Sequence, residues 1–372
     1  MTINTVPIPA GRALEVLEQG WQAQARGALT ASWMLHGRPG IGKTEIVQTL
    51  AEKTGSMLFD LRLTTIEPQD LRGLPYYDHD SRKTVWYPPE DLPDDPARPA
   101  ILFLDELTAA APSLQPTVYG LLQERRIGRH VLPPSCFIVA AGNAVEDGAI
   151  AYEMGTALSD RLIHLNVKAD ARDWLDRYAV PGGLDPAVIT FIRKRPDMLE
   201  TTETTLRRGE TIACTPRSWT RVSQIMASIP DRRLRDIMIA GTVGEAAAAE
   251  FALIANEIAV TVQISDMITA GDDERIDLYP ATMHGLTALV YGLVSQADAA
   301  TLPRVIAVMA EIRHLPRRRP EPVFAALPLS ELCTYGFEIL IDKALRAGWQ
   351  DAFLASPDYA AYAAERRKAG IG

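Results

Sequence analysis

Residues 37 to 44 read Gly37-Arg38-Pro39-Gly40-Ile41-Gly42-Lys43-Thr44, and this octet restricts the fold more than any other stretch of the chain. Its spacing, G-x-x-x-x-G-K-[ST], is that of a loop that wraps a polyphosphate. Such a loop needs a strand before it and a helix after it. The apolar run Ser32-Trp33-Met34-Leu35-His36 leads in, and Glu45-Ile46-Val47-Gln48-Thr49-Leu50 continues with helical spacing. The glycines let successive backbone N–H groups turn inward, and the helix N-terminus adds partial positive charge. In that geometry Lys43 reaches the β- and γ-phosphates, Thr44 offers its hydroxyl to Mg²⁺, and Glu45 completes the binding segment.

Four further apolar runs, 57–61, 100–105, 136–141 and 162–167, accompany the one at 32–36. Each is nearly continuous and not alternating, the pattern of strands covered on both faces of a parallel sheet. Helical spacing separates most of them, as in Leu14-Glu15-Val16-Leu17 and in Leu114 through Gln123. This is α/β wrapping with five parallel strands. The interval from Pro68 to Pro99 is rich in Pro and Asp and lacks periodicity, so it reads as a functional loop or an insertion. Two short segments about Gly128, within 124–132, read as a hairpin ahead of the fourth strand.

Beyond Val167 the strand signals fade and helical patterns run to the C-terminus. A boundary is expected near 168–172 and a softer one near 260–275, where Gly271-Asp272-Asp273-Glu274 reads as a loop. The expected domains are therefore 1–168, 169–265 and 266–372. The basic run Arg317-Arg318-Arg319 reads as a solvated turn.

Composition narrows the class. The chain has 372 residues, 47% hydrophobic and 23% charged, with a formal net charge of −9. That length supports more than one domain. The acidic balance argues against nucleic acid and in favour of a protein partner. No apolar stretch is long enough to span a bilayer, and the N-terminus does not open a signal peptide. Three well-separated cysteines, Cys136, Cys214 and Cys333, suggest reduced thiols in a cytoplasmic protein.

The third run ends Leu104-Asp105-Glu106. Asp105 can hold the Mg²⁺ shell beside the phosphate loop, and Glu106 can polarise an attacking water. The fourth run ends Ala141-Gly142-Asn143, whose amide can position that water, although asparagine also commonly begins turns. Ala157-Leu158-Ser159-Asp160-Arg161-Leu162 sets an arginine just before the fifth run, with a surface ion pair to Asp160 or a helix C-cap as the lesser alternative. Thr215-Pro216-Arg217 places a cation in the first turn of a helix, where the dipole disfavours it unless a phosphate is near.

In order and spacing these segments resemble an AAA+ ATPase: Walker A at 37–44, Walker B at 101–106, Asn143 as sensor 1, Arg161 as arginine finger and Arg217 as sensor 2. The hairpin at 124–132 resembles the pre-sensor-1 insertion of the helix-2-insert clade. Asp70-Leu71-Arg72-Gly73-Leu74-Pro75, Leu122-Gln123-Glu124-Arg125-Arg126-Ile127-Gly128 and Ala140-Ala141-Gly142-Asn143 resemble the MoxR-like branch, which includes the CbbQ/NorQ-type activators. The likeness covers roughly residues 30–225. It implies an AAA+ P-loop core with a helical lid and a helical C-terminal region, ATP and Mg²⁺ bound between core and lid, and a hexameric ring.

In that ring Arg161 would act on the neighbouring subunit's ATP. Catalysis would rest on Glu106, Asn143, Arg161 and Arg217, with Arg221, one turn further on the same face, competing with Arg217. The resemblance also implies a protein client and a partner with a von Willebrand factor A domain. Loop 68–78, with Tyr76 and Tyr77 at its tip, would contact such a client or cover a neighbouring subunit. Two other readings stay open: a nucleotide-gated scaffold that hydrolyses slowly, and a DNA-directed motor.

Overall fold

The computed structural model describes residues 4–143, 159–261 and 264–368. Chain contacts divide it into two compact units. The first holds residues 1–170 with the segments 202–211 and 215–217, and the second holds 171–201, 212–214 and 218–372.

The first unit is built on a six-stranded parallel sheet. Its strands are β1 (Pro7–Pro9), β2 (Ser32–His36), β3 (Met57–Arg62), β6 (Ala100–Asp105), β9 (Cys136–Gly142) and β10 (Leu162–Lys168). Their order is β1-β10-β2-β9-β6-β3. All five apolar runs form strands. The sixth strand, Pro7–Pro9, has no apolar run to announce it; it pairs only with β10, at the sheet edge where a proline N–H is not missed.

Strand β2 is buried along its whole length, as are Ile101 through Leu104 and Cys136 through Gly142. Helices α1 (Ala10–Ala25), α2 (Lys43–Thr54) and α4 (Gln115–Glu124) carry the chain between strands, with α3 (Pro68–Arg72) a single turn. One hydrophobic cluster joins α1 and α2 to the sheet through Leu17, Val47, Leu50 and Phe103; a second joins α4 through Val118 and Leu121. Because every strand runs the same way, their C-terminal ends share one edge. The chain leaves β2 for β3 on one side while β10 and β1 lie on the other, so the loop after β2 opens where the winding reverses. Ligands of open α/β sheets bind at such a point.

The interval 68–99 contains more order than its composition suggests. After α3, β4 (Leu74–Asp78) pairs antiparallel with β5 (Lys83–Tyr87) in a sheet of its own. Tyr76 and Tyr77 therefore lie within a strand, and residues 79–82 form the tip. Exposure on both faces removes the alternation that would mark these strands in the sequence. The small hairpin about Gly128 is formed by β7 (Arg126–Ile127) and β8 (His130–Val131).

The second unit is helical. Helices Pro186–Lys194, Pro216–Ser228 and Glu245–Thr261 contribute Phe191, Trp219 and Phe251 to one aromatic cluster, with ring centroids 5.0 to 5.8 Å apart. Helix Met283–Gln296 is buried from Gly285 to Val294, as expected of a central helix that is apolar all round.

Two sequence expectations fail here. Asp272 begins a helix, Asp272–Leu278, and no loop, since acidic residues in the first turn complement the helix dipole. The 317–319 run is not a solvated turn either. Arg318 pairs with the buried Glu311, and Arg319 donates to the Tyr279 carbonyl at 2.8 Å and lies over the Phe324 ring. Among the described residues, no helix is long and apolar enough to cross a membrane.

Candidate nucleotide site at the strand ends

Helix α2 begins at Lys43, and its N-cap, Gly42, has φ +100°, a left-handed conformation that glycine adopts without strain. No side chain caps this end, which leaves the first-turn amides facing the loop as an anion site. Gly40 is also left-handed, at φ +79°, and a Cβ there would meet Thr215 Oγ1 at 2.9 Å. Ile41 is buried in the sheet's core cluster and anchors the loop, while Pro39 is exposed at its crest. Thr44 is half-buried in the first turn and Glu45 is exposed.

Lys43 is 9% exposed. Its ammonium donates to the carbonyls of Gly37 and Arg38, the latter at 3.0 Å, and to Asn143 Oδ1 at 2.7 Å. These are neutral oxygens, which a phosphate oxygen can displace. The Arg38 side chain pairs with Glu203 at 3.0 Å, and Glu203 also pairs with Arg207. Strand β9 thus delivers Asn143 to the loop from 100 positions further along the chain.

A residue that the spacing did not suggest holds Asn143. Thr108 Oγ1 donates to the Asn143 carbonyl at 2.9 Å and accepts from its N–H at 3.0 Å. The fit requires Gly142, because a Cβ there would come within 2.6 Å of the Thr108 side chain and 2.9 Å of Met34 Cε.

At the end of β6, Asp105 Oδ1 accepts from the Glu106 N–H at 2.9 Å. Glu106 itself sits at φ +58°, a conformation that costs a non-glycine residue about 1–3 kcal/mol and occurs mainly where surrounding structure imposes it. The turn brings its carboxylate to Thr64, whose hydroxyl donates to Oε2 at 2.5 Å. Thr64 follows β3, the neighbour of β6. Asp60, on β3, is a further carboxyl beside Asp105: partial withdrawal from water and then the Asp105 charge push it above its ordinary pKa, against the pull of Arg62.

The two distal arginines are placed differently. Arg217 is exposed, the second residue of helix Pro216–Ser228, and its backbone N–H donates to the Gly40 carbonyl at 3.1 Å. Arg221 is exposed one turn further along that helix. Arg161 is exposed immediately before β10, at the opposite end of the strands from the loop. The register Leu162↔Ser32 and Asn166↔His36 sets the two ends four residues apart, about 13 Å along a strand. Ala157 and Leu158 of the same motif lie outside the described residues.

Beside the loop, His36 Nε2 and His164 Nδ1 are 2.7 Å apart, the rings edge to edge and nearly coplanar, with centroids 5.0 Å apart and planes at 16°. Burial, then His164, then Lys43 lower the His36 pKa to about 4. The strand order, and not sequence spacing, brings these two rings together.

The donor set fits a nucleoside triphosphate and Mg²⁺: left-handed glycines, an uncapped helix start, a lysine on displaceable oxygens, and Thr44 and Asp105 as hard oxygen ligands.

Comparison with known proteins agrees with this geometry. Residues 32–162 match the family model described as AAA domain (dynein-related subfamily). No curated protein matches the chain. Among solved structures, a mutant of RuvB from Thermotoga maritima is 16% identical, with 77% of this chain and 83% of that chain covered and a TM-score of 0.37. RuvB of the same organism, described as a Holliday junction branch migration motor, is 15% identical over 76% and 80% of the two chains, TM-score 0.37. A candidate ATPase from Cytophaga hutchinsonii is 15% identical over 90% and 81%, TM-score 0.33. The chain has an AAA+ P-loop fold with a helical C-terminal region, and its residues 32–162 are similar to the AAA domain of the dynein-related subfamily.

Proposed function

We propose that this chain is an ATP-hydrolysing AAA+ ring motor of the MoxR-like type that remodels a client protein, with a von Willebrand factor A domain protein as partner. The observation that carries the reading is the 2.7 Å contact of Lys43 with Asn143, which joins the phosphate loop to the end of β9. In this account Lys43 and the loop 37–45 grip the phosphates, Thr44 and Asp105 hold Mg²⁺, and Asn143 orients the water. Mg²⁺, when bound, supplies neutralisation of phosphate charge. Glu106 takes the proton of the attacking water once released from Thr64.

The position of Arg161 supports the ring of this reading, which we take to be hexameric. The residue's place at the far end of β10 sets it away from its own loop and supports action on a neighbouring subunit's nucleotide. A cation supplied in trans contributes about 10³–10⁵ in rate. Arg217, whose N–H touches Gly40, serves as the second sensor. Residues 1–168 act as the nucleotide-binding domain, 169–265 as a helical lid and 266–372 as a C-terminal extension.

The hairpin of β4 and β5 suits a client-facing role. Leu74, Tyr76, Tyr77 and Tyr87 are at least half exposed, and Arg72 lies 5.0 Å from the Trp86 ring centroid. Exposed apolar patches of this kind mark interaction surfaces. The net charge of −9 favours a protein client over DNA, and buried free thiols suit the cytoplasm.

ATP turnover measured alone, with duplex DNA, and with a co-purifying protein tests the reading. We expect Mg²⁺-dependent turnover stimulated by the protein. Stimulation by DNA alone would overturn it in favour of a nucleic-acid motor, and binding without turnover would favour a scaffold.

A further inference from the structure

The hydrogen-bonded histidines connect the two ends of the sheet. His36 is the last residue of β2 and adjoins Gly37 of the phosphate loop. His164 Nδ1 faces His36 Nε2 at 2.7 Å, and His164 Nε2 reaches the Ser159 carbonyl oxygen at 2.9 Å. Ser159 lies two residues before Arg161. The contacts therefore run from the loop end of β2, through two imidazoles, to the turn at the start of β10.

Their chemistry fixes the direction of this chain. A carbonyl oxygen only accepts, so His164 Nε2 carries the hydrogen. In a neutral imidazole the other nitrogen is then bare, so His164 Nδ1 accepts from His36 Nε2–H. With both rings neutral, one proton arrangement satisfies both bonds. Lys43, from α2, and His164, from β10, are the charged and titratable groups that bear on His36, and both oppose its protonation. An imidazole ending a strand of Trp33, Met34 and Leu35 would be costly without such a partner.

We propose that His36 and His164 are a positioning pair, a directed hydrogen-bond chain that holds the turn bearing Arg161 in fixed relation to the phosphate loop of the same subunit. Neither ring touches the reacting atoms. The pair acts through Arg161, and it rests on the proposal that Arg161 serves a neighbouring site.

Two measurements test it. His164→Phe keeps an aromatic ring in the strand and removes both hydrogen bonds. We expect its affinity for an ATP analogue to stay within twofold of wild type while kcat falls about tenfold to a hundredfold, the scale of a misplaced catalytic group. His164→Gln, which keeps an amide donor for the Ser159 carbonyl, should fall between the two, and it stands in if the phenylalanine variant does not fold. An unchanged kcat, or a loss of affinity equal to the loss of kcat, would overturn the proposal.

The second measurement needs no turnover. In the full chain with ¹⁵N-labelled histidine at neutral pH, His164 should be the Nε2–H tautomer, its Nδ1 accepting a hydrogen bond. A Nδ1–H tautomer would overturn the chain whatever the rates. Wild-type protein with no ATPase at all would count against the proposed function, while the tautomer would still decide the pair.

Discussion

Lys43 and Arg275 are both buried cations, 9% and 3% exposed, yet they are held in different ways. Lys43 donates to two backbone carbonyls and an amide oxygen. Arg275 donates to Glu311 Oε2 at 2.7 Å and pairs with Asp272 at 3.1 Å, while the Tyr279 hydroxyl donates to Glu311 at 2.9 Å and Arg318 pairs with its other oxygen. At Lys43 the partners are neutral oxygens that a phosphate can replace. At Arg275 the charged groups neutralise one another, which fastens helix Asp272–Leu278 to helix Leu302–Glu311. A buried cation thus meets neutral oxygens in one unit and carboxylates in the other.

Substitutions in the two units should therefore fail differently. The largest effect belongs to Arg161→Ala, which should bind nucleotide normally yet lose about 10³-fold or more in turnover. Mixing it with Lys43→Ala, which should not bind nucleotide, tests the shared site: partial recovery of ATPase in mixed rings is expected, and none at any ratio would count against action in trans.

Glu311→Ala should lose stability and leave nucleotide affinity intact in the folded protein. Removing one partner of a buried ion pair costs about 3–5 kcal/mol, readable by urea denaturation. The thiols add a spatial readout. Cys136 lies in the first unit, and Cys333, whose Sγ donates to the Met309 carbonyl at 3.3 Å, lies in the second. Burial raises Cys136 to about 11 and Cys333 to about 12, so neither should alkylate while folded. In Glu311→Ala, Cys333 should become reactive before Cys136; release of Cys136 first would break the comparison.

A third expectation concerns acid. His36 titrates near 4 when folded and near 6.5 when unfolded. Between these values the unfolded chain binds more protons, so stability rises with pH across the window. The contribution is whole above about pH 6.5 and is lost as pH falls toward 4, on the order of 3 kcal/mol in all. His36→Phe should flatten that slope in urea titrations run at successive pH values. The smallest effect is Gly142→Ala, where the new Cβ must displace Thr108. Turnover should fall about tenfold through a shifted Asn143, with the melting temperature also lowered, since overpacking a buried site costs about 1–3 kcal/mol.

Much of the first unit could be read before it was seen, because buried parallel strands give continuous apolar runs and phosphate chemistry fixes residue spacing around Lys43. What sequence spacing lacks is strand order. Thr64 meets Glu106, Thr108 clasps Asn143 and His164 bonds His36 only because β3 lies beside β6, β6 beside β9, and β10 beside β2. The left-handed turn at Glu106 likewise has no glycine to signal it. Strand Pro7–Pro9 is too short for any pattern, and β4 and β5 are too exposed to alternate. In the second unit helical spacing says where helices run but not which arginine meets which carboxylate, so Arg318 and Arg319 looked like a solvated run.

The central claim is that Lys43, Asn143, Asp105 and Glu106 form one hydrolytic site in which Glu106 activates water. Steady-state ATPase and equilibrium nucleotide binding, measured side by side for wild type and Glu106→Gln, test it most directly. The variant should bind ATP within about threefold of wild type and turn over at least about a hundredfold more slowly, remaining loaded with ATP. Turnover at the wild-type rate would contradict the account.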